Sequence, residues 1–351
     1  MPRRLALVLA PLSATLLLSL VPGGAIANHV ECGDVITQDT TLDSDLLGCP
    51  ADGVVIGAPR VTLDLAGHVI DGPDPPVSCC DDGPDGVNNR AGHDHVTIQN
   101  GTIREFQHGV SIGGHRPGIG RSASTGNVVR DLAISSNRGI AAADAGDVLL
   151  ERNSLLTRTF AIAFLNSSLD TIRRNVTDSI PPLGHGAAVI VQSAPGGSAH
   201  DNLVVRNTVT HGDIDVFGAA NVVVENTVSL GLDAGIGVLG AGNVIAKNVV
   251  HDNTAGIIVF GDHRIEKNEL VGNGNDGIRV ESGQSELVHN VAKGNGDDGI
   301  EVKSAGTRVA KNTADENGDL GIVAASGVID GGGNKAAGNG DPLQCVNVLC
   351  K

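Results

Sequence analysis

Asparagine recurs at positions 153, 175, 207, 226, 248, 268, 290, 312 and 334, at intervals of 22, 32, 19, 22, 20, 22, 22 and 22 residues. Nothing else in the sequence constrains the fold as strongly, because self-similarity at a fixed period implies a stack of like units. Asp131 is read as holding the same place one period earlier. The residue three before each Asn is usually apolar (Val204, Val223, Ile245, Ile265, Leu287, Val309), and so usually is the one two after (Val209, Val228, Val250, Leu270). About nine residues after the Asn comes a Gly with alternating apolar residues: Gly235-Ile-Gly-Val, Gly256-Ile-Ile-Val, Gly277-Ile-Arg-Val and Gly299-Ile-Glu-Val. Each period thus holds two short segments with strand-like alternation, separated by turn residues. The Gly, Asn and β-branched content of every period argues against helices. A strand this short cannot bury its apolar face alone, but a stack of identical coils buries all such faces in one core. The expectation is an all-β fold, a single-stranded right-handed parallel β-helix. Its coils of about 22 residues number roughly a dozen from Val61, in a rod on the order of 55–60 Å long at ~4.8 Å per coil.

In such a stack the Asn residues superimpose, and each amide donates to the amide carbonyl one coil away. The same residues are read as taking the left-handed backbone of a sharp turn. In Gly-Ile-x-Val, Ile and Val face the core and x faces out. The outward column then reads Asp215, Gly237, Ile258, Arg279, Glu301, Val323. Arg279 is expected over Glu301, and Glu281 over Lys303, as cross-strand charge pairs.

Composition fits a narrow, regular interior: the chain has 49 Gly, no Trp, no Tyr and five Phe, so Val, Ile, Leu and Ala must build the core. The first residues are set aside, because Arg3 and Arg4, an apolar run and Ala25-Ile-Ala27 read as a signal peptide over 1–27, which marks the chain as secreted. No later stretch is long and apolar enough to insert into a membrane. Loss of two Arg takes the formal charge from −16 to −18, which disfavours nucleic acid and anionic membranes as partners. A metal cation, a cationic polymer or a neutral glycan remains compatible. The expected organisation is a cap segment over 28–60, the β-helix over 61–340 and a C-terminal cap over 341–351, in a chain taken as a monomer. Six Cys in an exported chain favour disulfides. The simplest pairing staples the ends, Cys32 with Cys49 and Cys345 with Cys350, while Cys79 and Cys80 are open to a vicinal bridge, to other partners, or to a metal site with His93 and His95.

Function in a solenoid sits where the period breaks. Three interruptions stand out, at 73–95, 113–126 and 192–201, the last two leaving the same point of the coil. Near that edge are His108, His115, Arg116, His185, His200, His211, Asp213 and Asp215. His211 with Asp213 or Asp215, and His185, are the candidates for acid/base work. A second constellation is acidic: Asp276 stacks near Asp298, with Asp297 and Asp319 in adjacent turns, a donor set suited to Ca²⁺.

The "NTVxxxG" style of coil over about 55–340, with "VTLDLAGHVIDG" (61–72), "NGTIREFQHGVSI" (100–112) and the terminal "NGDPLQCVNVLC", resembles the right-handed parallel β-helix repeat proteins. These include pectate lyases, polygalacturonases, alginate lyases and epimerases, and NosD-like periplasmic proteins; the match is to the secreted actinobacterial type. The resemblance implies a polysaccharide partner. It does not carry a catalytic set across: Gly184-His185-Gly186, Arg264-Ile-Glu266 and Asp297-Asp298 stand in the wrong order for a polygalacturonase, and the Tyr of the epimerases is absent. Arg279 and Lys303, the outward bases a lyase would need, already have acidic neighbours. The expectation is a secreted protein that interacts with extracellular or cell-wall polysaccharide. A polysaccharide lyase or glycoside hydrolase and a ligand-free spacer are the alternatives.

Overall fold

The computed structural model describes residues 29–76, 83–116, 120–180, 188–193 and 199–351, with the backbone alone for 114–116 and 120–122. The signal segment 1–27, His185, Cys79 and Cys80 lie outside the described residues.

Each coil makes three short strands separated by sharp corners, and each strand pairs in parallel with its counterpart one coil on. The first sheet starts with Asp34–Ile36 on Val54–Ile56 and ends with Ile322–Ala324 on Cys345–Val346, about 13 turns later. In a middle coil, Ile214–Phe217 belongs to this sheet, Val222–Val224 to the second and Thr227–Ser229 to the third. The parallel stack therefore begins inside 28–60 and ends inside 341–351, beyond the limits expected for the regular helix. Two disulfides staple its ends, Cys32 to Cys49 and Cys345 to Cys350.

Alternation places Ile214, Ile236, Ile257, Ile278, Ile300 and Ile322 in one column with no solvent exposure. They face Val204, Val223, Ile245 and Ile265 of the second sheet and Val209, Val228 and Val250 of the third. Only medium-sized apolar side chains fit this triangular section, which accounts for the scarcity of rings. Phe106 and Phe164 are buried, whereas Phe260 is 42% exposed on the outer face of the first sheet.

The Asn column stands at the corner between the second and third sheets. Asn207 donates both its backbone N–H (2.9 Å) and Nδ2 (3.0 Å) to Asn226 Oδ1, and Nδ2 also reaches the Ile172 carbonyl at 2.9 Å. The pattern repeats through Asn248, Asn268, Asn290 and Asn312 to Asn334. Each buried amide thus satisfies itself and a corner N–H that would otherwise be orphaned. Two details differ from the sequence reading. The left-handed residue is the one before each Asn (Arg206 φ 58°, Lys247 φ 55°, Lys311 φ 55°), because the Asn must aim its amide inward. Asp131 (φ 56°) occupies that preceding position, and Leu132 takes the Asn place, donating its N–H to Asn153 Oδ1.

Two further ladders were not read from the sequence. Asn253, Asn273, Asn295, Asn317 and Asn339 line the corner from third to first sheet, and Asn202, Asn221 and Asn243 the corner from first to second. Both were visible as Asn placed five residues after or before members of the first column.

Candidate functional site

The outward column of the first sheet has the expected register: Ile190, Asp215, Gly237, Ile258, Arg279, Glu301 and Val323 stand side by side. Glu281 and Lys303 pair at 3.2 Å. Arg279 is aligned with Glu301, but its ion pairs are with Glu281 on its own strand (2.8 Å) and Asp276 (3.5 Å), and Glu301 is held by Lys303 at 3.2 Å. An Arg side chain is long enough to prefer the bent-back partner on its own strand.

Three carboxylates converge where the strand Ile214–Phe217 begins. Burial pushes Asp213 up to about 7, and the charges of Asp215 and Asp233 add to the shift. Asp215 is pushed up to about 6, again by burial first and then by Asp233. Asp213 Oδ1 is sealed from solvent without a hydrogen-bond partner. Above Asp215 stands Gly237, where an added Cβ would lie 2.3 Å from Asp215 Oδ1. The Gly is required by the carboxylate beneath it, since its backbone is ordinary strand. The group therefore gathers protonatable carboxyls, with Asp215 lying against the bare backbone of Gly237 in the place a side chain would take, and protonatable carboxyls are what acid/base work needs.

His211 does not pair with Asp213 or Asp215. Its Nδ1 is 2.9 Å from Asp178 Oδ1, one coil back, because the left-handed corner at His211 (φ 52°) turns the ring toward the third sheet. There it lines a shallow cleft of about 520 Å³ with Leu230, Leu232, Asp252 and Thr254. The excursions at 113–126 and 192–201 do leave one point of the coil, since Gly113, Ala143, Leu165 and Gln192 are in register. Gln192 aligns with Phe217, so the excursions leave at the end of the sheet away from Asp213. His200 is paired with its neighbour Asp201 at 2.7 Å.

His108 is 3% exposed and lies 3.0 Å from Asp85, itself 1% exposed and clamped by Arg90 at 2.6 Å. Arg138 donates to His108 Nε2 at 2.8 Å. This array is a buried fastening of the early coils, closed to substrate. Sequence reasoning missed Asp85, Asp178 and Asp233. Asp233 was legible only by setting the corner residues of adjacent coils against one another, as the strands were.

Of the four Asp read as a calcium set, the structure brings Asp276, Asp297 and Asp298 together, with one oxygen from each within 4.8 Å of the others. Asp319 is not in this group, although its charge helps to raise Asp298 to about 6, after burial and the charges of Asp297 and Asp276. Two of the oxygens already have work: Asp276 Oδ1 accepts the Asp298 N–H at 3.2 Å, and Asp298 Oδ1 accepts the Leu320 N–H at 2.9 Å. That is the same corner capping the Asn ladders perform. The remaining oxygens are too few to fill the six to eight positions of Ca²⁺ without water.

A protein-family description, right handed beta helix region, matches residues 200–339. With the parallel three-sheet coils, this decides the class. The chain has the fold of a right-handed parallel β-helix. The crystal structure of the periplasmic alginate epimerase AlgG superposes on it with a TM-score of 0.56 at 14% identity, over 87% of this chain and 76% of that one. A point mutant of the same epimerase gives 0.57 at 14% identity, over 86% and 73%. The catalytic unit of a GH87 alpha-1,3-glucanase from Streptomyces thermodiastaticus strain HF3-3 gives 0.46 at 17% identity, over 88% and 62%. No curated protein matches the sequence. At such identities the likeness is one of fold. Among the described residues, no helix is long and apolar enough to cross a membrane.

Proposed function

We propose that this β-helix is an exported protein that binds extracellular or cell-wall polysaccharide on the outer face of its first sheet, around Asp213, Asp215 and Asp233. The single observation that carries the reading is the cluster of protonatable carboxylates, Asp213 and Asp215 beside Asp233, packed against Gly237. Three further points support it: the fold is shared with an alginate epimerase, two disulfides suit an oxidising compartment, and residues 1–27 read as an export signal. Exposed Phe260, with Phe217 and Leu239 in register beside it, offers the apolar surface that the face of a sugar ring packs on.

Glycoside hydrolysis is the second reading, favoured by the same carboxyls. Between about pH 6 and 7 the Asp213–Asp215 pair shares a proton held more by Asp213 than by Asp215, the division of labour between acid and base in glycosidases. His211 with Asp178 and His185 are secondary candidates. A lyase needs a base near the uronate, and no Lys or Arg contributes to the shifts of Asp213 or Asp215. Ca²⁺ at Asp276, Asp297 and Asp298 would be a corner staple separate from this centre.

The test is a glycan-binding and reducing-sugar screen of the folded mature protein beside Asp213→Asn and Asp215→Asn. Loss of about tenfold or more in affinity supports binding at this face. Turnover that falls by about a hundredfold or more in the same variants supports hydrolysis. Binding that both variants retain in full overturns the placement.

A further inference from the structure

At the corner between the second and third sheets, the left-handed residue in successive coils is Arg174, Arg206, Glu225, Lys247, Lys267, His289 and Lys311. All but Glu225 are basic side chains, and the six are exposed. Six basic groups in seven coils, over six steps of ~4.8 Å, make a ridge roughly 29 Å long interrupted once by Glu225. In a chain of formal charge −16, a column with six basic residues in seven places is not the average surface.

Backbone sterics sharpen the point. A positive φ is unfavourable for any residue with a Cβ, and Gly or Asn occupies it most readily. At the other two corners Gly takes this place in several coils, Gly242, Gly283, Gly306 and Gly327 at one and Gly272, Gly294 and Gly338 at the other, but Leu169, Asp201, Ala220, His211, Leu230, Asp252 and Glu316 adopt it there too. What sets the ridge corner apart is residue type: from Arg174 to Lys311 six of its seven left-handed residues are basic, whereas the non-Gly residues at the other corners are of mixed type. Ion pairing within the protein does not account for it: Arg174 leans on Glu151 at 3.5 Å, Arg206 and Lys247 share Glu225, and Lys267, His289 and Lys311 make no ion pair.

The flanks say what kind of anion fits. On one side run Arg173, half-buried Val205 and Val224, and buried Ala246, Val288 and Ala310, and on the other Val176, Thr208, Thr227, Val249, Val291 and Thr313, with acidic Glu266 and Glu269 beside Lys267. Val176, Val249 and Val291 are 51%, 37% and 41% exposed. A single row of cations beside one exposed band of Val and Thr side chains suits a thin chain that carries regular charges and presents C–H faces. It lacks the aromatic platforms on which single-stranded nucleic acid stacks, and one row is too narrow for a duplex.

We propose that this ridge binds one extended chain of an acidic polysaccharide, laid along the rod axis, independently of the carboxylate centre on the first sheet. The test measures affinity of labelled oligogalacturonates of graded length for the mature protein at about 20 and 200 mM NaCl, where counterion release should weaken binding. Lys247→Gly, Lys267→Gly and Lys311→Gly are combined in one variant, which relieves the positive φ and so should melt no lower than the parent. The expected result is affinity that grows with length, falls with salt, and drops about tenfold or more in the triple variant. The proposal is overturned if the triple variant binds like the parent. It is equally overturned if a single-stranded DNA of the same charge binds as tightly. Should Asp215→Asn remove uronate binding and the triple variant leave it intact, the ligand lies on the first sheet, and only the ridge assignment fails.

Discussion

Asp170 occupies an Asn place in the ladder from first to second sheet, and replacing it by Asn should stabilise the protein in a pH-dependent way. Its Oδ1 accepts the Val148 N–H at 2.8 Å and its own N–H goes to Asn202 Oδ1 at 3.0 Å, as in the Asn members of the column. Those members use Nδ2 as a donor, for example Asn202 to Asn221 Oδ1 at 3.0 Å. Asp170 has instead Oδ2, which is sealed from solvent without a partner, since the Ser167 hydroxyl donates to the Ala145 carbonyl. Burial, together with the charge of Asp147, pushes the carboxyl from 3.8 to about 7 against the pull of the Val148 N–H and Ser167. A folded pKa above the unfolded one means full stability below about pH 4, and loss as pH rises to about 7. The difference of roughly three units corresponds to about 4 kcal/mol withheld from the parent near pH 8. In Asp170→Asn the side-chain amide supplies the missing donor at every pH. With an unfolding entropy of about 2.1 cal/mol/K per residue over some 320 residues, the gain is roughly 6 °C in melting temperature. Thermal melts of parent and Asp170→Asn at about pH 4 and pH 8 check it. Other titrating groups, such as Asp213 and Asp298, are common to both proteins and cancel in the difference. A shift of the same size at both pH values, or none near pH 8, refutes the reasoning.

Gly237→Ala brings a Cβ against Asp215 Oδ1, and should abolish glycan binding with a stability cost of only about 1 kcal/mol, read from binding and melting on the same preparation. Thr177 is fully buried with Oγ1 unpartnered, so Thr177→Val should raise stability by about 1 kcal/mol in denaturant titration. Asn268→Ala strips partners from the Ile245 carbonyl, the Asn248 amide and Asn290 Oδ1, and should cost about 3 kcal/mol, whereas Lys267→Ala beside it should cost less than about 0.5. If glycoside hydrolysis is found, its rate should fall below about pH 6 and above about pH 7, as the Asp213–Asp215 pair leaves its singly protonated form.

The coil was legible because stacking turns a local rule into a column. An Asn is needed at one corner of every turn to cap an N–H that has no other partner, so the residue type repeats where the geometry repeats. The same logic placed Asp215, Gly237, Ile258, Arg279 and Glu301 side by side before any coordinates. What did not repeat was harder. Arg279 and Glu301 are in register, but a flexible guanidinium chose Glu281, and register alone does not fix where a long side chain ends. Asp170 in an Asn column was equally hidden, because a carboxyl of similar shape keeps the period and reveals itself only through its unpartnered oxygen.

The candidate site illustrates the same limit from the functional side. Sequence proximity suggested His211 with Asp213 or Asp215, but they straddle a corner, and a left-handed residue sends neighbouring side chains to different faces. In a solenoid the near neighbour is one coil away, which is why His211 finds Asp178 and why Asp213 feels Asp233. Chemistry on this scaffold is therefore read down columns. Where a column departs from the average surface, as with clustered carboxyls against a bare Gly237 or a run of basic residues at one corner, it marks a place to test for contact with something outside the fold. The two columns that depart lie on different faces of the rod and differ in sign. One polymer of one charge does not satisfy both, so the variants that silence them, Asp215→Asn and the triple Lys→Gly, should be separable in any binding assay.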